Sequence, residues 1–243
     1  MREHNLALET EAGGIPVFVT HPEEGGPHPV VIFYMDALGI REELRDMARR
    51  IGTVGYYVML PNLFWREGGP SFDPAPLAEG KLDPEMVRLN HATTHAMVLA
   101  DTGRLLDHAA ADPGARDPVG TIGYCMGGRH ALAAAGTFPD RVAAMVSLHA
   151  GFQVTYRPDS AHLLIPNIEA ECYFGFADGD PLSPPEHEAV LKDGCRAHGV
   201  EARFETYPGA AHGFTFPTRY CYDKHSAELA WERVFALFRR RLG

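Results

Sequence analysis

Residues 119–128 read "VGTIGYCMGG", and how this stretch folds decides the rest of the chain. Val119 to Tyr124 are mainly apolar β-formers and predict a buried strand, whereas Met126 opens a helical pattern that runs to Gly136. Only an abrupt turn joins the two, with Cys125 at its apex. Such a turn forces its central residue into a strained backbone conformation and leaves no room for side chains two positions before and two after. Gly123 and Gly127 occupy those positions. The turn would push the Cys125 sulfur into a cleft and aim the Met126 N–H, at a helix start, toward an oxyanion formed beside it. A buried, inert thiol is the plain alternative for any free cysteine, but the paired glycines and flanking elements favour a reactive one. No G-x-G-x-x-G follows the strand, which argues against a dinucleotide site.

Working outward, β-rich runs alternate with helical patterns along almost the whole chain, the signature of an α/β fold around a mainly parallel sheet with helices on both faces. "LALET" and "IPVFVTHP" predict an opening antiparallel pair turning at Gly13 and Gly14, and "PVVIFYMD" a buried central strand. "REELRDMARRIGTVG" is amphipathic, with Leu44, Met47, Ala48 and Ile51 on one face. "YYVMLPNLF" predicts a strand, followed by a Pro/Gly-rich excursion over residues 65–81 that reads as a pocket-lining loop or a flap, then a continuous helical pattern from Pro84 to about Ala111. Strands "VAAMVSLHAG", "AECYFGFADGD" and "ARFETYPGAAHGF" follow, with helices between them and at the C-terminus. The whole length, 1–243, reads as one domain.

Cys125, Asp180 and His212 each fall just past the carboxyl end of a predicted strand. In a parallel sheet those ends share one edge, so the loops converge there, and nucleophile, acid and base stand in the chain order of the α/β-hydrolase arrangement. His212 lies in the small-residue loop "YPGAAHGF", where such a base belongs. For the acid there are two candidates, Asp178 and Asp180. Asp178-Gly179 reads as a turn pair, and "SPPE" as a helix start with Ser183 as N-cap and Glu186 closing a capping box, which leaves Asp180 as the better partner for His212. A second oxyanion donor is expected near Ala37. His91 and His95 have metal-ligand spacing, but with no third ligand nearby a solvated face is the better reading, and no metal or cofactor is expected.

A net charge of -10 argues against nucleic acid or an anionic membrane as partner. The opening "MREHNLALET" has no apolar leader, no run reaches membrane-spanning length, and the 4 cysteines form no C-x-x-C pair, so a cytoplasmic protein with reduced thiols is expected, monomeric or homodimeric.

Together, "GYCMGG", "DGDPLSP" and "YPGAAHGF" resemble the dienelactone hydrolase family of α/β-hydrolases, and the landmarks can be followed from about Pro29 to the C-terminus. The resemblance implies a Cys125–His212–Asp180 triad that opens activated esters or lactones. It also implies a thiol-activating acid after the third strand, where this chain has Asp36 in place of the family's glutamate; capping of the helix beginning near Arg41 is an equally good role for Asp36. The family holds a substrate carboxylate with arginines, one of them shortly after the catalytic histidine, where Phe216 stands here. Arg219 can substitute only if its loop bends, and Arg66 and Arg88 are further candidate anchors. Trp65, with Phe64 and Phe72, is a candidate for an apolar pocket wall. A different class remains open, in which the same fold serves as a ligand-binding or thiol-redox module without turnover.

Overall fold

A computed structural model describes residues 1–243. Eight strands form one sheet in the order β1-β2-β4-β3-β5-β6-β7-β8. β1 (Arg2–Thr10), β2 (Gly13–His21) and β4 (Tyr57–Pro61) pair antiparallel in turn, and β3 (His28–Tyr34) joins β4 in parallel. β5 (Ala115–Tyr124), β6 (Val142–Leu148), β7 (Glu171–Ala177) and β8 (Ala202–Tyr207) extend the parallel part from the other side of β3. The chain therefore reverses its direction of travel across the sheet between β3 and β5. That is the point where the loops after two parallel strands part and leave a crevice.

The helices are α1 (Glu42–Gly52), α2 (Pro84–Ala92), α3 (His95–Ala111), α4 (Met126–Thr137), α5 (Pro185–Ala197) and α6 (Lys224–Arg241). Neighbouring residues of a strand face opposite sides, and β5 shows the consequence. The open side of Gly120 faces Leu242 and Phe238, at the end of α6, while the Thr121 hydroxyl reaches the Ala131 carbonyl of α4. Helices thus cover both faces, and 64 buried apolar residues form one continuous core on the two sides of the sheet.

Two local expectations are corrected. The helical pattern from Pro84 to Ala111 is broken at Thr93 and Thr94, because Thr94 leaves the helical conformation and caps a new helix by accepting from Met97 N–H. The helix after β7 begins one residue later than "SPPE" suggests: Pro184, not Ser183, is its N-cap, and no side-chain cap forms. Ser183 is used earlier, its N–H donating to the Asp180 carbonyl to close the loop that holds Asp180. No helix is long and apolar enough to cross a membrane.

Candidate active site

Cys125 has φ 52° and ψ -115°, a region a non-glycine residue occupies only when its surroundings impose it. Its N–H donates to Leu148 O at the end of β6, fixing the turn to the sheet. A Cβ on Gly123 would lie 2.1 Å from Gly127 O, and one on Gly127 would lie 2.2 Å from Tyr34 O. Both clashes are with backbone and cannot be relieved by a side-chain rotation, so these glycines let the first turn of α4 sit directly on the end of β3. Gly127→Ala is accordingly expected to destabilise the fold by about 3 kcal/mol or more, read as a lower urea midpoint.

This close approach sets Met126 beside the loop after β3. As the first residue of α4, Met126 has an N–H with no helical carbonyl to bond. The Ala37 N–H likewise donates to no other group of the protein. These are the two backbone donors expected to form an oxyanion hole, and neither is bonded to another group of the protein.

His212 reaches the same edge from the loop after β8. Its Nδ1 hydrogen-bonds Asp180 Oδ2 at 2.6 Å, and Asp180 Oδ1 accepts from Leu182 N–H at 2.9 Å. The Asp180 side chain is fully buried. Asp178 does something else: its Oδ2 accepts from Gly209 N–H at 2.9 Å, and its own N–H donates to Ala210 O at 2.8 Å, clamping the two loops that carry Asp180 and His212. Of the two candidate acids, Asp180 is the one in contact with the imidazole.

The Nε2 of His212 is buried without a hydrogen-bond partner, and Cys125 is close enough for thiol and imidazole to shift one another's titration. Burial alone would raise the thiol, and Asp36 raises it too, but the positive charge of His212, aided by Arg219, brings it below the ordinary cysteine range. The imidazole moves in the opposite sense. Burial opposes its charge, yet the Cys125 thiolate and the Asp180 carboxylate push it up to about 10. These opposed shifts both favour transfer of the thiol proton to the imidazole.

A second histidine, His149, supports the first. It sits at the end of β6 with φ 36°, its Nε2 hydrogen-bonds Thr215 Oγ1 at 2.7 Å, and its ring meets His212 edge to face with 5.2 Å between centroids. Burial, then the positive charges of His212 and Arg219, keep it neutral, so it packs against the imidazolium without repelling it. A histidine at a strand end was the available signal in the sequence, but among 13 histidines it does not stand out.

Several expected site residues have other roles. Asp36 is wholly buried and held by Arg41 at 2.7 and 3.0 Å, by Arg219 and by Leu38 N–H at 3.2 Å. It neither caps α1, whose N-cap Arg41 makes no side-chain capping bond, nor stands as a free acid beside the thiol. It is the counter-ion of two arginines, and the loop after His212 does bend to bring Arg219 in. Phe216 is fully buried beneath those arginines, with the Arg219 and Arg41 guanidinium carbons 4.2 and 5.1 Å from its ring centre, and so cannot line a substrate cleft.

Arg66 forms a two-pronged pair with buried Asp101 at 2.7 and 2.8 Å, and Trp65 donates its indole N–H to the same carboxylate at 2.9 Å. Both residues lock the excursion onto α3 rather than face a substrate. Arg88 lies on the surface between Glu85 and Glu67. These environments predict opposite stability effects. Arg66→Ala would strand the Asp101 carboxylate and cost about 2–3 kcal/mol, whereas Arg88→Ala is expected to leave a urea unfolding curve unchanged. His95 shares a hydrogen bond with His130, Nδ1 to Nδ1 at 3.2 Å, and is not joined to His91 in a metal site.

A strained residue between β5 and α4, an acid after β7 and a histidine after β8, on a sheet of this order, define an α/β-hydrolase fold. The sequence model of the dienelactone hydrolase family matches residues 15–242, and the chain belongs to that family. It is 26% identical over 238 residues to an Escherichia coli K12 protein named "Putative carboxymethylenebutenolidase", covering 96% of this chain and 85% of that one. The fold resembles that of a Klebsiella pneumoniae protein solved as a "Putative Dienelactone Hydrolase", with a TM-score of 0.87, 24% identity and 98% of each chain covered. It also resembles the metagenomic dienelactone hydrolase-like phosphotriesterase P91, with a TM-score of 0.79, 21% identity, and 100% of this chain and 99% of that one covered. The protein is thus a hydrolase of the dienelactone hydrolase family.

Proposed function

We propose that the protein hydrolyses activated carboxylic esters or lactones, of the carboxymethylenebutenolide type, by way of a thioester on Cys125. The observation that carries this reading is the buried Asp180–His212 hydrogen bond set beside a thiol in a strained turn, near enough for imidazole and thiol to shift one another's titration. Asp180 fixes the imidazole tautomer and stabilises its charged form. Cys125 thiolate attacks the substrate carbonyl, and the Met126 and Ala37 N–H groups hold the resulting oxyanion. The oxyanion collapses by expelling the alkoxide or enolate, which takes the His212 proton. Water, deprotonated by His212, then attacks the thioester and releases the acid and the thiolate.

Thiolate leaves a tetrahedral intermediate easily, so a poor leaving group on the substrate would send the intermediate back to starting material. Enol lactones and aryl or enol esters escape this because their own leaving groups depart readily. Amides do not, and peptidase activity is not expected. Because Asp36 is already committed to two arginines, activation of the thiol in this reading rests on the His212 pair and needs no carboxylate to move when substrate arrives.

A panel of p-nitrophenyl esters, enol lactones and anilides tests the reading. Turnover of the first two without the third is expected, and absence of turnover on every ester and lactone would contradict it. The thiol itself offers a second check. An ordinary thiol, pKa ~8.5, is only a few per cent ionised at pH 7. Burial raises Cys172, Cys195 and Cys221 above the usual range. The ultraviolet thiolate absorbance at pH 7 is therefore expected to arise from Cys125 alone, to vanish on acidification through its lowered pKa, and to be missing in Cys125→Ser.

A further inference from the structure

Arg129 lies one helical turn after Cys125, and its guanidinium has no carboxylate partner anywhere in the fold. It is only 7% exposed, and its Nη2 donates to two neutral acceptors, the Asn90 carbonyl at 2.7 Å and Asn90 Oδ1 at 3.0 Å. Every other strongly buried arginine here sits on an acid, as Arg219 does on Asp36. Burial lowers the Arg129 pKa to about 10, so the group stays charged at neutral pH; Cys125 and Asp159 act on that charge from a distance, but no acid is paired with it. An isolated buried cation is costly unless something pairs with it.

That guanidinium forms part of the wall of a cleft of about 280 Å³. Asn90, Thr94 and His95 contribute to the same wall, so the N-terminus of the 17-residue α3 opens into the cleft and adds partial positive charge. His95 is held neutral by burial and by Arg129, its pKa falling to about 4. The one acid in the wall, Asp159, is already paired with Arg157 at 2.9 Å on the exposed rim. Phe152 is the single apolar lining residue. The cleft is therefore built for a small anion, and a planar guanidinium suits a carboxylate.

Arg129 lies in the first turn of α4, the helix that the strained Cys125 turn opens. The Cys125 thiolate is also among the charges that act on Arg129. We infer that Arg129 is a specificity-determining residue whose cleft receives a carboxylate borne on the substrate a few bonds from the carbonyl that Cys125 attacks. This places the anion anchor on α4, away from Arg66, Arg88 and the position of Phe216. The inference rests on the reading of Cys125 as nucleophile, and the test separates the two.

The test compares kcat/KM for the p-nitrophenyl monoester of glutaric acid with that for its methyl-capped neutral counterpart. The wild-type protein is expected to prefer the anionic ester at least 30-fold, Arg129→Lys to keep part of the preference, and Arg129→Gln to bring the ratio near one. A wild-type ratio near one, or a ratio unchanged in Arg129→Gln, would overturn the inference; if the glutamine variant fails to fold, a ratio in Arg129→Lys equal to the wild-type one would overturn it. If neither ester is turned over, the hydrolytic reading is what fails. Alkylation of Cys125 by iodoacetate relative to iodoacetamide then judges Arg129 independently of turnover. That ratio is expected to fall at least tenfold from wild type to Arg129→Lys or Arg129→Gln, whichever folds, and no fall would overturn the inference.

Discussion

Cys125→Ala is expected to lower kcat/KM on activated esters and lactones by at least about a thousandfold, with the fold intact. Knocking out the nucleophile of a comparable triad costs about a millionfold and leaves only the contribution of the oxyanion donors and of binding. The donors here are backbone groups of Met126 and Ala37, which the substitution does not remove. The thiol is small and only partly buried, so alanine should be accommodated with little change in thermal midpoint. The variant therefore separates chemistry from stability. Equal hydrolysis by wild type and variant would make Cys125 a bystander and would put the chemistry on another group.

Asp180→Asn is expected to cost about a hundredfold to ten-thousandfold in kcat, with little change in KM for a neutral ester. The Asp180 side chain is fully buried and touches the imidazole at 2.6 Å, so the amide keeps the shape while losing the charge. An amide nitrogen turned toward Nδ1 would also select the wrong tautomer. The charged imidazole loses a main stabiliser, the thiol drifts back up, and the pH at which thiolate forms should rise along with the loss of rate. Asp178→Asn is the informative companion. It keeps an oxygen able to accept from Gly209 N–H and removes a carboxylate that does not touch His212, so a much smaller loss of rate is expected. A larger effect at Asp178 than at Asp180 would exchange their assignments.

The parts of the site that could be read from the sequence are those set by local sterics. Gly123 announces the turn because a Cβ there would collide with the Gly127 and Gly128 backbone a few residues on, whereas the space needed at Gly127 is set by Tyr34 on β3. The order of Cys125, Asp180 and His212 was legible because the alternation of strands and helices fixes which ends of the strands meet. The ion pairs were not. Arg219 and Asp36 are 183 positions apart, and Arg66 meets Asp101 across 35, so their charges looked available for substrate when they were already spent on each other. Phe216 is no substrate contact because Arg219, three residues on in its own loop, and Arg41, at the start of α1, both pack over it. The break between α2 and α3 was missed because threonines at 93 and 94 are tolerated in a helix, and only the bond from Met97 N–H to Thr94 reveals the cap. The spacing of Arg129 from Cys125 is plain in the sequence, but its lack of a partner is not. Nothing in the sequence says that a guanidinium lacks an acid.

The shared requirement of these expectations is that a covalent bond forms between Cys125 sulfur and the acyl group. Mixing the protein with an excess of a p-nitrophenyl ester, quenching in acid within the first turnovers and mapping the digest by mass spectrometry tests this directly. The peptide containing Cys125 should carry the mass of the acyl group, and hydroxylamine should remove it. Continued turnover with that peptide unmodified at every quench time, or the acyl group found on another residue, would contradict the account.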